Sequence, residues 1–181
     1  VRPGERVLVR GAAGAVGAAV VQLAAAAGAE VLALASSRSA ALLTDLGASA
    51  VLDRTRTAPG QVDQLDVVID TVGSDLVAWR GRLRPGGRVL TTALSTPAAW
   101  GAVVVTSLSG GRRVRTFAGQ PARAALLEAT ELVEAGAVRP VIGTVYPLEQ
   151  IGAAHAAFEA GGQRGRAVVA VDPGRPHSTA G

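Results

Sequence analysis

The chain has no cysteine, so no disulfide, thiolate metal site or cysteine nucleophile can be built from it. Two histidines, His155 and His177, remain as imidazole donors, and no H-E-x-x-H spacing occurs, so no metal and in particular no catalytic zinc is expected. Lysine is absent as well. All 18 basic residues are arginine, against 14 acidic residues, for a net charge of +4. Such basicity raises the question of nucleic acid. The arginines are scattered, however, and the small cluster Arg112-Arg113-Val114-Arg115 alternates with an apolar residue as a strand would, so no nucleic-acid partner is expected. No apolar run approaches the ~20 residues of a membrane span, and no basic-then-apolar leader is seen. The expected setting is therefore cytoplasmic, with no membrane partner. Methionine is missing even from the first position, which is Val1.

What is present reads as one folded domain. A chain of 181 residues, 49% hydrophobic and 18% charged, is long enough to bury a substantial core. Its opening is the most informative stretch. Arg6-Val7-Leu8-Val9-Arg10 has the apolar run of a short buried strand, and an alanine-rich helix is predicted from Ala15 to Ala27. Between them lie Gly11, Gly14 and Gly17. Gly11 allows a tight exit from the strand, Gly14 a close approach of backbone to a pyrophosphate, and Gly17 close packing of helix on sheet. The helix start then offers free N–H groups and a positive dipole end to the phosphates. Gly11, Ala13, Gly14, Ala15, Val16 and Gly17 are thus candidate cofactor contacts. Val16, Val20, Leu23 and Ala27 are expected to share the apolar face of the helix, and Gly28 to end it. Val31–Ala35 is a second buried strand, completing a βαβ unit.

The residues after that strand select the cofactor. A carboxylate there would bind the ribose hydroxyls of NAD, whereas this chain has Ser36-Ser37-Arg38-Ser39. Two hydroxyls and a guanidinium suit a 2′-phosphate, so NADP(H) is favoured over NAD(H). The same serines, Ser37 or Ser39, also suit the start of a helix over Ala40–Leu46.

Gly4-Glu5-Arg6-Val7-Leu8-Val9, the G-x-x-G-x-x-G turn and Gln22-Leu23-Ala24 resemble the medium-chain dehydrogenase/reductase superfamily, in particular its zinc-free quinone oxidoreductase (zeta-crystallin-like) branch. The stretches Leu83-Arg-Pro-Gly-Gly-Arg-Val89, Arg139-Pro-Val-Ile142 and Gly165-Arg-Ala-Val168 carry the likeness to about Val171. The resemblance implies an α/β, Rossmann-type doubly wound parallel sheet of about six strands with helices on both faces. It implies a nucleotide-binding domain over residues 1–171, followed by a polar tail, 172–181. Relatives carry a GroES-like domain before the point where Val1 stands, so the chain is expected to be a fragment or a truncation.

Further along, Leu46–Asp53 closes the second helix and opens a third strand, after which Arg54 stands where relatives have tyrosine. Arginine there can stack on adenine or pair with a phosphate. A loop with one helical turn is expected over Thr55–Gln64. The strand from Leu65 ends in Thr71, Val72 and Gly73, which should lie beside the cofactor because ligands sit beyond the carboxyl ends of parallel strands. Asp70 is read as structural. After a helix over Ser74–Leu83, Arg84-Pro-Gly-Gly87 predicts a turn, and the next strand brings Thr92 and Ala93 to the ligand side. Trp100 reads as a packing residue. Val114–Phe117 reads as an edge strand, suited to homodimer pairing. The helix Pro121–Ala135 is expected to place Leu126, Thr130, Val133 and Ala137 in the core. His155, on a helix over Gln150–Ala160, reads as a half-buried core residue.

Two functions compete. One is NADPH-dependent hydride transfer to a quinone, enone or similar carbonyl, in which the protein positions the reactants and the cofactor supplies the chemistry. No acid–base pair is evident and no catalytic residue can be named. The other is a stand-alone nucleotide-binding or assembly module, or a repurposed non-redox enzyme such as a cyclase, with a partner chain supplying the missing domain.

Overall fold

The computed structural model describes residues 1–93, 101, 113–116, 122–161 and 165–171. The expectations for Trp100, Phe117 and the tail from Asp172 lie outside the described residues. Six strands form one parallel sheet: β1 (Arg6–Arg10), β2 (Glu30–Ala35), β3 (Ala50–Asp53), β4 (Leu65–Asp70), β5 (Leu83–Thr91) and β6 (Arg113–Thr116). Their spatial order is β3-β2-β1-β4-β5-β6, the doubly wound order of dinucleotide-binding folds. Successive residues of β1 show why its middle is apolar. Val7 and Val9 enter the core on one face and Leu8 the core on the other, and all three are fully buried. Helices α1 (Ala15–Ala26) and α2 (Ala40–Asp45) cover the first face, and α3 (Leu76–Arg80) covers the second with the buried ring of Trp79.

The buried face of α1 differs from the expected one. Gly17, Ala18, Val21, Gln22 and Ala24 turn inward, while Val16 and Leu23 are 51% and 42% exposed. Close approach to the glycine turn requires the small residues to face the sheet, which turns Val16 and Leu23 outward while Val20 still packs against the core. Arg84–Gly87 is not a turn between elements either. It is an outpouching within β5, since Leu65 pairs with Leu83 and Val67 already pairs with Arg88. Gly86 does take the expected left-handed conformation, φ +82°.

The rest of the chain forms a smaller unit. Beyond α4 (Arg123–Glu134), β7 (Ile142–Pro147) and β8 (Arg166–Ala170) make a separate parallel pair, connected by α5 (Ile151–Ala160). The unit is tied to the first βαβ by polar backbone contacts. Gln22 accepts the Arg139 N–H at 2.8 Å and donates to its carbonyl at 3.0 Å. Gly165 N–H donates to the Ala13 carbonyl at 3.0 Å. Arg139 also pairs with Asp45.

Two core assignments in this region are overturned. No residue of α4 is buried, and Leu126 is 53% exposed. His155 is exposed too; Ala154 is the residue of α5 that goes inside. An apolar line becomes core only where another element covers it, and none of the described elements buries this one. Among the described residues no helix is long and apolar enough to cross a membrane.

Candidate functional site

A cavity of about 640 Å³ opens at the carboxyl ends of the central strands. Four connections contribute its walls. The β1 turn gives Arg10, Gly11, Ala13 and Gly14; β2 and its exit give Leu34, Ala35, Ser36 and Ser39. The segment after β3 gives Arg54, Thr57 and Pro59, and that after β4 gives Thr71, Val72, Ser74, Asp75 and Trp79. The crevice therefore sits where the strand order reverses, between β1 and β4.

Gly11 and Gly17 do what their spacing suggests. Gly11 is left-handed, φ +70°, and a Cβ there would run into Thr71 Oγ1. A Cβ on Gly17 would lie 2.7 Å from Ala12 Cα and collide with the Gly11 carbonyl. Gly14 is the N-cap residue of α1, whose first N–H groups have no intrahelical carbonyl to bond.

Of the residues singled out in the sequence, the structure brings Gly11, Ala13, Gly14, Ser36, Arg54, Thr71 and Val72 together on this crevice. The others stand elsewhere. Gly17 is buried beneath the turn, and Val16 faces outward. Ala15 borders a second hollow, about 450 Å³, with Phe158 and Arg166. Ser37 and Arg38 are exposed beside the crevice without lining it. Gly73 is buried, its N–H donating to Asp70 Oδ2 at 2.9 Å. Thr92 and Ala93 lie past β5, the strand beside β4, and do not line the cavity.

Several lining residues were not legible in advance. Ser39 sits at the N-cap of α2 without a side-chain cap bond, and is buried against the cavity instead. Trp79 and Asp75 reach the site from α3 and its N-cap. Arg10 carried a usable signal, a charge at the carboxyl end of a strand whose middle, Val7–Val9, is apolar. Its guanidinium is buried, donates to Asp70 Oδ1 at 2.7 Å, and lies 5.5 Å from the centre of the Trp79 ring. Burial pulls the Arg10 pKa below the ordinary arginine value, and Asp70 and Asp75 oppose that shift. Asp70 has the structural role expected of it.

One carboxylate bears on cofactor choice. Asp53, at the end of β3, accepts the Thr55 hydroxyl at 2.6 Å and the Thr55 N–H at 2.8 Å. These bonds hold its pKa below the usual carboxylate value.

The strand order, the glycine turn and the crevice over it define a Rossmann-type dinucleotide-binding domain. The chain belongs to the zinc-binding dehydrogenase family, whose model matches residues 46–169, within the medium-chain dehydrogenase/reductase superfamily. Membership implies a nicotinamide cofactor and leaves NAD and NADP undistinguished. The chain is 30% identical to a mitochondrial NAD(P)H oxidoreductase of Danio rerio, over 92% of this chain and 49% of that protein. It is 32% identical to the quinone oxidoreductase of Mus musculus, over 85% of this chain and 51% of the relative. The solved quinone oxidoreductase of Coxiella burnetii superposes with a TM-score of 0.84 at 28% identity, over 95% of this chain and 54% of that one. The chain thus spans about half the length of these relatives. The sequence has no cysteine, and among the described residues no group of three His, Asp or Glu could hold a metal ion.

Proposed function

We propose that the chain binds NADPH and forms the nucleotide-binding part of a reductase of the quinone oxidoreductase kind, delivering hydride to a quinone, enone or similar carbonyl. The observation that carries this reading is the crevice itself. Its adenosine-side wall, from Leu34 to Ser39 and from Arg54 to Pro59, contains one arginine and no carboxylate among the lining residues. The guanidinium that suits a 2′-phosphate is Arg54, since Arg38 does not line the cavity. Backbone at Gly11–Gly14 and the start of α1 suit the pyrophosphate. When bound, the nicotinamide supplies the hydride; the chain's residues hold it and exclude water.

Fluorescence titration with NADPH and NADH tests this directly. NADPH is expected to bind more tightly, with Arg54→Glu weakening NADPH by about tenfold or more and NADH little. Equal affinities unchanged by Arg54→Glu would refute the 2′-phosphate assignment. A second reading, an NAD(H) site, is favoured by Asp53, a carboxylate at the end of β3, one residue before the crevice-lining Arg54. Asp53→Asn separates the two: if repulsion by Asp53 limits NADPH, that affinity rises severalfold, whereas loss of NADH affinity would make Asp53 a ribose ligand.

Binding without turnover is the alternative outcome. Leu126, Leu127, Ile142, Ile151 and Phe158 are all exposed, a surface suited to a further domain or partner chain. Adding NADPH and a simple quinone to the chain, and following loss of reduced-nicotinamide absorbance, distinguishes a working reductase from a module that needs that partner. Pairing of two copies through β6, which ends the described sheet, is part of the same proposal, as is a cytoplasmic setting.

A further inference from the structure

An arginine at the end of a strand buried on both faces needs a physical reason. Arg10 is 5% exposed, and its partner Asp70 is fully buried. Such a pair is weak evidence for stability, because desolvating both charges offsets most of their attraction. What the pair does in this chain is organise one loop, Thr71–Asp75. The beginning of the loop hangs on Asp70, which accepts the Val72 N–H at 3.3 Å and the Gly73 N–H at 2.9 Å. Thr71 also donates to the Arg10 carbonyl, from its hydroxyl at 2.8 Å. The end of the loop hangs on the Arg10 side chain. Nη1 donates to the Ser74 carbonyl, Nη2 donates to Ser74 Oγ at 3.1 Å, and Nη2 lies 3.8 Å from an Asp75 carboxylate oxygen. Asp75 itself is left-handed, φ +54°, a conformation that a non-glycine residue keeps only when its surroundings hold it. Thr71, Val72, Ser74 and Asp75 all line the crevice.

We propose that Arg10 is a positioning residue of the nucleotide site: clamped by Asp70, its guanidinium grips Ser74 and fixes the loop that forms the β4 wall of the crevice. The inference rests on the reading of that crevice as a nicotinamide-nucleotide site. Fork geometry is what the role demands, because one planar group must serve a carboxylate, a carbonyl and a hydroxyl at once. Lysine keeps the charge toward Asp70 but cannot span all three.

Arg10→Met, Arg10→Lys and the stability control Val31→Ala, a core change in β2 outside the crevice lining, test this. Hydrogen exchange of the free chain and NADPH titration are measured for each. Arg10→Met is expected to speed exchange at Val72 and Gly73, and to weaken NADPH, each by about tenfold or more. Arg10→Lys is expected to recover part of both, and Val31→Ala to change neither. Should Arg10→Met fail to fold, the paired variant Arg10→Met/Asp70→Leu removes both charges and is read against Asp70→Leu alone. The proposal is overturned if exchange in the loop is unchanged, or if Val31→Ala weakens NADPH as much as Arg10→Met does. A wild-type chain that binds no nicotinamide nucleotide would instead sink the functional reading, while the exchange measurement would still decide whether Arg10 orders the loop.

Discussion

Gly17 shows how much of the site depends on a missing atom. Its sequence spacing announced close packing, and the structure puts Ala12 Cα 2.7 Å from where a Cβ would stand. The obstacle is backbone, so it cannot yield by a rotamer change. Gly17→Ala is expected to destabilise the chain by about 1–3 kcal/mol through overpacking, read as a lower urea midpoint. It should also weaken nucleotide binding by displacing the turn. A variant with the wild-type midpoint and affinity would show that the helix start tolerates more space than the geometry allows. Arg10 and Arg54 mark the other side of legibility. A glycine pattern is readable because the conformational demand is local. Which arginine reaches a cavity depends on where four distant connections converge, and sequence reasoning assigned the 2′-phosphate to Arg38, which does not line the crevice, whereas Arg54 does.

The strands were readable as elements because burial on both faces makes them unbroken apolar runs, as in Val31–Ala35 and Val67–Ile69. The face of α1 was not, since alanine and glycine give little amphipathic contrast and the choice falls to the packing of Gly17. The outpouching in β5 was hidden for a different reason: Pro85-Gly86-Gly87 has turn chemistry whether or not the ladder resumes beyond it. That strand also makes a link that no local pattern shows. Arg88 on β5 grips Glu5, just before β1, with two bonds of 2.8 and 2.9 Å. The Arg88 hydrogen bond, aided by the Arg2 N–H against a burial penalty, pulls the Glu5 pKa down to about 2. A carboxylate with a depressed folded-state pKa contributes stability that is complete above its unfolded value, near 4.5, and is lost as pH falls toward 2. Because both side chains are partly exposed, the contribution is expected to be about 1 kcal/mol. Urea melts at pH 7 and pH 3 should show Glu5→Gln less stable than wild type at the first, with the gap narrowed at the second. A gap that stays constant would mean that the pair's charge does not matter.

For the molecule as a whole, the contrast between its two parts carries the argument. The six-stranded sheet is covered on both faces, whereas α4, α5 and β7 present apolar side chains to solvent, Phe158 at 71% exposure among them. Exposed apolar side chains in such number mark an interaction surface or a liability to aggregate. The superfamily resemblance was read from the same sequence that misassigned α4 to the core, because an amphipathic helix looks identical whether its cover is in the same chain or another. The chain alone is therefore expected to bind an apolar fluorescent dye. Phe158→Ser should lower that signal without lowering the melting temperature, since the ring contributes little to folding where it is mostly exposed. A weak dye signal is compatible with this only if light scattering gives a mass above one chain, the apolar faces then covering each other. A monomer that binds no dye would mean that these side chains are shielded within the chain, and the case for a covering domain or partner would lose its physical basis.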